Sequence, residues 1–127
     1  MKLILSIFII FLTLSISSCK KNNATVVITC IGDPINASVD GDEVYINSYS
    51  SHSWTIEWDG GLFSSDSKSV NLYAEDWEYP SLYNTSRTLD VKDGKRYTWS
   101  IGWSEAISAV PGDAKHKIIE EHINSAN

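Results

Sequence analysis

The chain has 127 residues, of which 43% are hydrophobic, and its 16 acidic side chains outnumber its 10 basic ones to give a formal net charge of −6 at pH 7. This length suits one small domain with a single hydrophobic core. Because an acidic surface repels phosphate polymers, the composition excludes nucleic acid as the expected partner.

The first nineteen residues have the organisation of a targeting segment. A charged start, Met1-Lys2, is followed by a mostly apolar run over residues 3–16. This run is shorter than the roughly 20 apolar residues that a membrane-spanning helix needs. It ends in Ile16-Ser17-Ser18-Cys19, with small residues directly before a cysteine. This order resembles the signal peptide of bacterial lipoproteins, whose lipobox ends in the cysteine that becomes lipidated.

The resemblance to lipoproteins implies an address rather than an activity. Residues 1–18 would be removed as a signal peptide, and Cys19 would carry several acyl chains, which together hold a protein on a membrane effectively permanently. We expect residues 19–24 to form a flexible polar tether and the protein to lie in the cell envelope. No aspartate follows Cys19, which favours the outer over the inner membrane. An uncleaved N-terminal anchor and an ordinary buried helix are the alternatives.

Residues 25–110 have the pattern of one all-β domain. Apolar and polar residues alternate with period two between Asp-Gly turns, which is typical of short antiparallel strands. The spacing predicts a small antiparallel β-sandwich with an immunoglobulin-like layout. Apart from the strands beside the turns at Asp40-Gly41 and Asp93-Gly94, the candidates are Thr25–Ile31, His52–Trp58 before Asp59-Gly60-Gly61, Ser69–Glu75 and Tyr97–Trp103.

The first Asp-Gly turn predicts a strand register. A two-residue loop at Asp40-Gly41 places Ala37 opposite Val44 and Ile35 opposite Ile46. All four apolar side chains then share one face of the hairpin, as a half-buried sheet requires.

The Asp-Gly turn at residues 93–94 predicts a different loop. A two-residue loop at Asp93-Gly94 would mix apolar and polar residues on each face. A three-residue loop with Gly94 in the left-handed conformation instead pairs Leu89 with Tyr97. We therefore expect a bulged hairpin here.

The end of the chain predicts a short helix or tail over residues 111–127. Pro111-Gly112-Asp113 is a helix-start signal, and four apolar residues would fall on one side of the helix. These are Ala114, Ile118, Ile119 and Ile123. His116 and Glu120 would lie one helical turn apart, but a zinc site needs at least three ligands, so a solvated helix face is the expectation.

The chain is rich in tryptophan, with five residues. Large side chains alternate on one face of two strand candidates: Trp54, Ile56 and Trp58 on the first, and Tyr97, Trp99, Ile101 and Trp103 on the second. The opposite faces are polar, so we expect these rings to fill the core rather than to form an exposed platform for sugars. Cys30 lies in an apolar segment and has no disulfide partner once Cys19 is lipidated, which predicts an inert buried thiol.

A second aromatic cluster is harder to assign to the core. Tyr73, Trp77 and Tyr79 occupy odd positions, whereas the apolar residues Val70, Leu72 and Ala74 occupy even ones. If the even positions face the core, the odd aromatics face water, beside the acids Glu75 and Glu78. They could bind a carbohydrate, a peptide or an envelope protein. The alternative is a loop whose rings fold back over the end of the sandwich.

No motif for catalysis or metal binding stands out. The chain contains no GxSxG, no HExxH and no EF-hand spacing. We therefore expect no catalytic residue, no metal and no cofactor. The favoured function is a non-catalytic binding or accessory module, attached to the membrane through Cys19. A structural or interaction protein of the envelope is the alternative, followed by a small hydrolase that uses Glu75 or Glu78.

Overall fold

The computed structural model describes residues 20–61, 66–105 and 117–126, and these residues form eight β-strands and no helix. The strands are β1 (Lys21–Cys30), β2 (Ile35–Val39), β3 (Asp42–Ile46), β4 (Ser51–Asp59), β5 (Ser67–Asp76), β6 (Asn84–Lys92), β7 (Arg96–Glu105) and β8 (Lys117–Ala126). The predicted all-β class is confirmed, and each strand candidate lies within an observed strand or overlaps it closely.

The strands form two four-stranded sheets that pack face to face. Sheet 1 has the order β4-β1-β7-β8, and sheet 2 has the order β3-β2-β5-β6. All neighbouring strands are antiparallel except β1 and β7, which are parallel. The predicted small β-sandwich is therefore confirmed. Its strand order is distinct from that of an immunoglobulin constant domain, in which the first strand pairs with the second.

The core lies between the inner faces of the two sheets. Alternate residues of the strands point into it, as period-two patterning requires. The largest fully buried side chains include Trp99, Ile28, Ile35, Leu72 and Ile101. Burying each such side chain contributes about 1.5–3 kcal/mol.

The aromatic stripes belong to this core, as predicted. Trp54, Tyr97, Trp99 and Trp103 are buried, while Ile56 and Trp58 pack against them partly buried.

Cys30 has the buried position that the sequence predicts. Its thiol donates to the carbonyl oxygens of Asp33, at 3.0 Å, and Gly32, at 3.5 Å. Burial raises the pKa of this thiol above its usual value. Because the thiolate is the reactive form, the raised pKa and the burial both make Cys30 unreactive.

The β2–β3 hairpin has the predicted register. Ala37 lies opposite Val44 and Ile35 opposite Ile46. Asp40 and Gly41 both have positive φ, 49° and 86°, which is the type I′ turn that matches strand twist. The hairpin is also fixed to its neighbour, since the Asp40 carboxylate accepts the backbone N–H of Asn71 at 2.7 Å.

The predicted hairpin around Gly94 is wrong. The strands on either side of it, β6 and β7, belong to different sheets, so Leu89 and Tyr97 do not pair. Gly94 does have the predicted positive φ, 78°, but the turn carries the chain across the sandwich. Tyr97 faces the core from the opposite sheet, where its hydroxyl oxygen accepts the N–H of Lys92 at 3.0 Å.

The predicted C-terminal helix is also wrong over residues 117–126. These residues form β8, which pairs antiparallel with β7 along its whole length. Ile119 lies opposite Trp103 and Ile123 opposite Trp99, so a strand of sheet 1 replaces the expected tail. The sandwich therefore extends beyond residue 110. Residues 111–116, including the expected helix start, lie outside the described residues.

The expected tether over residues 19–24 is shorter than predicted. β1 begins at Lys21, and Lys21 to Ala24 pair with β4 as far as Asp59. Asn22, which the sequence places in a flexible tether, is buried. The lipobox, Cys19 and the signal segment 1–18 lie outside the described residues. Within the part of the chain that is described, no helix is long and apolar enough to cross a membrane.

Candidate binding surface

The sandwich has two ends. We name the end beside Lys20 the anchor end, because Lys20 follows the expected lipidation site, and the opposite end the distal end. The anchor end is defined by Lys20, Gly60 and Gly94: the Lys20 carbonyl accepts the N–H of Gly60 at 2.8 Å, and the N–H of Gly94 donates to the carbonyl of Asn23 at 2.7 Å. The distal end is defined by Pro34, the 77–83 loop and Lys117. Strands of about ten residues separate the two ends by roughly 30 Å.

Tyr73 and Glu75 lie on the outer face of sheet 2. Their neighbours along β5, Leu72, Ala74 and Asp76, are fully buried, so the odd positions face outward. The Tyr73 hydroxyl donates to Glu75 Oε2 at 2.8 Å. Tyr73 and Glu75 therefore face outward, as the alternation along the sequence predicts.

Trp77 continues this outward row beyond the end of β5. Its backbone N–H donates to the carbonyl of Pro34 at 3.1 Å, which extends the β2–β5 pairing by one step. The Trp77 residue is 49% exposed. Tyr73, Glu75 and Trp77 thus follow one another at spacings of about 6–7 Å along one line.

The neighbouring strands add side chains that sequence reasoning missed. Glu75 lies opposite Asn36 on β2 and Asn84 on β6, and Asn36 in turn lies opposite Tyr45 on β3. Tyr45 is 55% exposed. The β2–β3 register places Tyr45 beside Asn36, but nothing in the sequence shows that β2 pairs with β5. We call this surface the aromatic face; it comprises Asn36, Tyr45, Tyr73, Glu75, Trp77 and Asn84.

Burial and two neighbouring acids affect the Tyr73 hydroxyl. Burial raises its pKa above the usual value, and the hydrogen bond to Glu75 and the charges of Glu75 and Glu43 raise it further. Tyr73 therefore stays neutral and keeps donating to Glu75 well into the alkaline range. This contact fixes the ring against the sheet.

Tyr79 and Glu78 lie apart from the aromatic face and instead pack over the end of the sandwich. Lys117 Nζ lies 5.4 Å from the centre of the Tyr79 ring, and the Tyr79 ring meets Tyr83 edge to face. Glu78 Oε2 lies 3.9 Å from Lys117 Nζ. Tyr79 therefore has the position of the alternative prediction, in which the loop folds back over the end of the sandwich.

A buried ion pair holds this loop. Lys117 Nζ donates to both carboxylate oxygens of Asp76, at 3.0 and 2.9 Å, and lies 3.0 Å from Asp33 Oδ2. The side chains of Lys117 and Asp76 are 1% and 0% exposed. Burial alone lowers the pKa of Lys117, but the hydrogen bonds and charges of Asp76 and Asp33 outweigh it and raise the pKa above its usual value.

The two acids named for a small hydrolase do not converge on each other, although Glu78 shares Lys117 with Asp76 and Asp33. Glu75 lies on the aromatic face, whereas Glu78 lies beside Lys117. Among residues 20–61, 66–105 and 117–126, no group of three or more histidine, cysteine, aspartate or glutamate side chains could hold a metal ion. The aromatic face therefore offers stacking surfaces and hydrogen-bonding groups.

Comparison with known proteins gave no family assignment. No family model matches the chain, and neither the curated proteins nor the solved structures contain a match to it.

Proposed function

We propose that this protein is a lipid-anchored cell-envelope module that binds a neutral carbohydrate on its aromatic face, without a catalytic step. The observation that carries the proposal is the row of Tyr73, Glu75 and Trp77 on one outward face of sheet 2. Two rings flank a carboxylate along β5, and amides lie on either side of it.

The chemistry of this row suits a sugar. A sugar ring has an apolar C–H face that stacks on an aromatic ring and hydroxyl groups that need polar partners. Trp77 and Tyr45 supply half-exposed rings, while Glu75 and Asn36 supply acceptors and a donor. The negative net charge of the chain favours a neutral glycan over an anionic one.

The proposed lipid anchor supports the same function. Lipidation at Cys19 would attach the membrane next to Lys20, at the anchor end. Trp77 belongs to the distal end, so the part of the aromatic face around Trp77 would lie far from the bilayer. A ligand outside the membrane surface could then reach it.

A binding screen with the full-length protein tests the proposal. Neutral and anionic oligosaccharides of the envelope and of common polysaccharides are titrated while tryptophan fluorescence is recorded. We expect a neutral glycan to bind and Trp77→Ala to weaken it by about 2 kcal/mol, or roughly 30-fold, as for a central aromatic contact.

Leu82→Ala is the matched control for this screen. Leu82 is 70% exposed and belongs to the same distal loop, but it lies outside the aromatic face. It should leave the affinity unchanged. Equal losses for Trp77→Ala and Leu82→Ala, or binding of no glycan at all, would contradict the proposal.

A structural or interaction protein of the envelope is the second candidate function. It is favoured by β8, an edge strand whose isoleucines Ile118, Ile119 and Ile123 are 48%, 47% and 43% exposed. Exposed apolar side chains on the edge strand of a sheet are typical of interaction sites. Cross-linking in intact cells through β8, without any glycan binding, would favour this candidate.

A further inference from the structure

The buried contact between Lys117 and Asp76 is an ion pair, and it also holds an amine close enough to a carboxyl group for the two to condense. Lys117 Nζ lies within 3.0 Å of both oxygens of one carboxylate, and both side chains are excluded from water. The amine therefore lies next to the Asp76 carboxyl carbon. Asp76 is the only buried carboxylate among the described residues. Fixed proximity of this kind lowers the barrier of a condensation that is negligible in water.

We propose that Lys117 and Asp76 form an intramolecular isopeptide bond, a covalent cross-link between the two sheets. The bond would join Lys117 Nζ to Asp76 Cγ. It is independent of the proposed carbohydrate function, because neither residue belongs to the aromatic face.

The reaction balances without any co-reactant. The ammonium group and the carboxylate condense to an amide and one water molecule. Lys117 Nζ forms the new bond to Cγ, the bond from Cγ to Oδ1 breaks, and two protons of the ammonium group leave with Oδ1 as water. The charges of the pair cancel, so no proton is taken from or given to the solvent.

Groups around the pair match the needs of this reaction. Asp33 Oδ2, 3.0 Å from Nζ, is placed to accept a proton from the ammonium group and so expose the amine lone pair. Because the same carboxylates raise the pKa of Lys117, the neutral amine is a minor form and the condensation is slow. The developing charge on Asp76 Oδ2 meets two backbone donors, the N–H groups of Tyr79 at 2.9 Å and Glu78 at 3.3 Å. Backbone donors aimed at such an oxygen are what stabilise the tetrahedral intermediate in acyl transfer.

The partial exposure of Asp33 also gives the released water molecule a path to the solvent. Its side chain is 39% exposed, so it connects the buried pair to the solvent at the distal end and lets the released water leave. The proton it accepts passes on to the leaving oxygen, which returns Asp33 to its starting state.

The cross-link would hold β8, which buries few of its own side chains, to the other sheet. Most residues of β8 are exposed, whereas Asp76 ends the central strand β5 of the other sheet. A bond between them would hold β8 and the 77–83 loop in place together.

Mass spectrometry of the full chain under denaturing conditions tests the proposal. Proteolysis of the wild type should give one branched peptide that contains both Asp76 and Lys117 and is lighter by one water molecule than its two parts. Lys117→Arg keeps the positive charge but has no amine to condense, and it should give two separate linear peptides. Linear peptides of full mass from the wild type would overturn the proposal.

A second variant tests the proton acceptor without removing either bonded residue. Asp33→Asn keeps the size of a half-exposed side chain, so the variant should fold, which circular dichroism checks. Removal of a general base slows a reaction by about 10²-fold or more. We expect the linked fraction, followed after a pulse of synthesis, to rise that much more slowly than in the wild type. Linkage at the wild-type rate would overturn the role of Asp33.

Discussion

The Tyr73–Glu75 contact shows how single residues define the aromatic face. Both side chains point outward from β5, and the hydrogen bond between them orients the ring. Burial raises the pKa of Tyr73 first, and the hydrogen bond and charge of Glu75 follow. A group whose folded-state pKa is raised stabilises the fold fully below its unfolded pKa, and this stability is lost as the pH rises through the folded pKa.

Replacing Glu75 tests this coupling. In Glu75→Gln the carboxylate charge is removed, so we expect the pKa of Tyr73 to fall toward its usual value of 10.0. The measurement is tyrosinate absorbance in an alkaline titration, with Tyr73→Phe to identify the late-ionising component. The stability contribution of Tyr73 would then disappear at a lower pH than in the wild type. An unchanged titration in Glu75→Gln would contradict the assigned contact.

Sequence reasoning succeeds for residues whose neighbours along the chain decide their surroundings. Cys30 lies in the mostly apolar segment of residues 26–31, and it is buried. Lys117 falls within the predicted helix or tail, yet its side chain is among the least exposed of the charged ones. Its partners, Asp33 and Asp76, are far away in the chain, and no local pattern shows that they meet.

The same limit applies to whole elements. The β2–β3 register can be predicted because the turn and both apolar pairs lie within residues 35–46. The turn at Gly94 can be predicted too, since its glycine has the required positive φ. A turn indicates that the chain changes direction, but it does not indicate which sheet the next strand joins. The mixed alternation beside Asp93-Gly94 reflects a crossing between sheets.

The sequence pattern does not reveal β8, because the inner face of this strand is not apolar throughout. The register of the two strands places five alternate residues of β8 on the side of β7 that is buried: Lys117, Ile119, Glu121, Ile123 and Ser125. Polar or charged residues at three of these five positions obscure the period-two pattern of the strand. Glu121 is tolerated there because Oε1 accepts the indole N–H of Trp99 at 2.7 Å and Oε2 pairs with Arg87 on β6.

Glu121 should therefore contribute more to the free energy of unfolding than its ion pair with Arg87 does. In Glu121→Ala the indole N–H of Trp99, a fully buried residue, loses its acceptor, which costs about 1–3 kcal/mol of unfolding free energy. Arg87→Ala removes only a half-exposed ion pair, which costs less than about 1 kcal/mol. Urea unfolding of both variants measures the difference. Equal losses would mean that the Trp99 contact contributes nothing.

At the scale of the whole molecule, polar contacts join the two sheets along both sides of the sandwich. On one side, Trp54 Nε1 on β4 donates to Asp42 Oδ2 on β3 at 3.1 Å. On the other side, Arg87 on β6 pairs with Glu121 on β8. At the distal end, Lys117 reaches Asp76 of the other sheet. These contacts keep the sheets aligned, so the two ends of the molecule keep fixed positions relative to each other.

This alignment gives the proposed lipid anchor a measurable consequence. β6 runs from Asn84 near the distal end to Lys92 near the anchor end, a distance of about 25–30 Å. Fluorophores on Lys92→Cys and on Ser81→Cys, both at exposed positions, therefore lie at different heights above a bilayer that holds Cys19. Cys30 is buried and should stay unlabelled.

We expect a quencher attached to lipid headgroups to quench the label at position 92 strongly and the label at position 81 weakly. Contact quenching reaches only a few ångströms, and the rigid sandwich keeps the distal loop well beyond that range. Removal of the lipid by Cys19→Ser should abolish both signals by releasing the protein from the vesicles. Equal quenching at the two positions would mean that the domain lies flat on the membrane, which would contradict the proposed orientation with the distal end away from the bilayer.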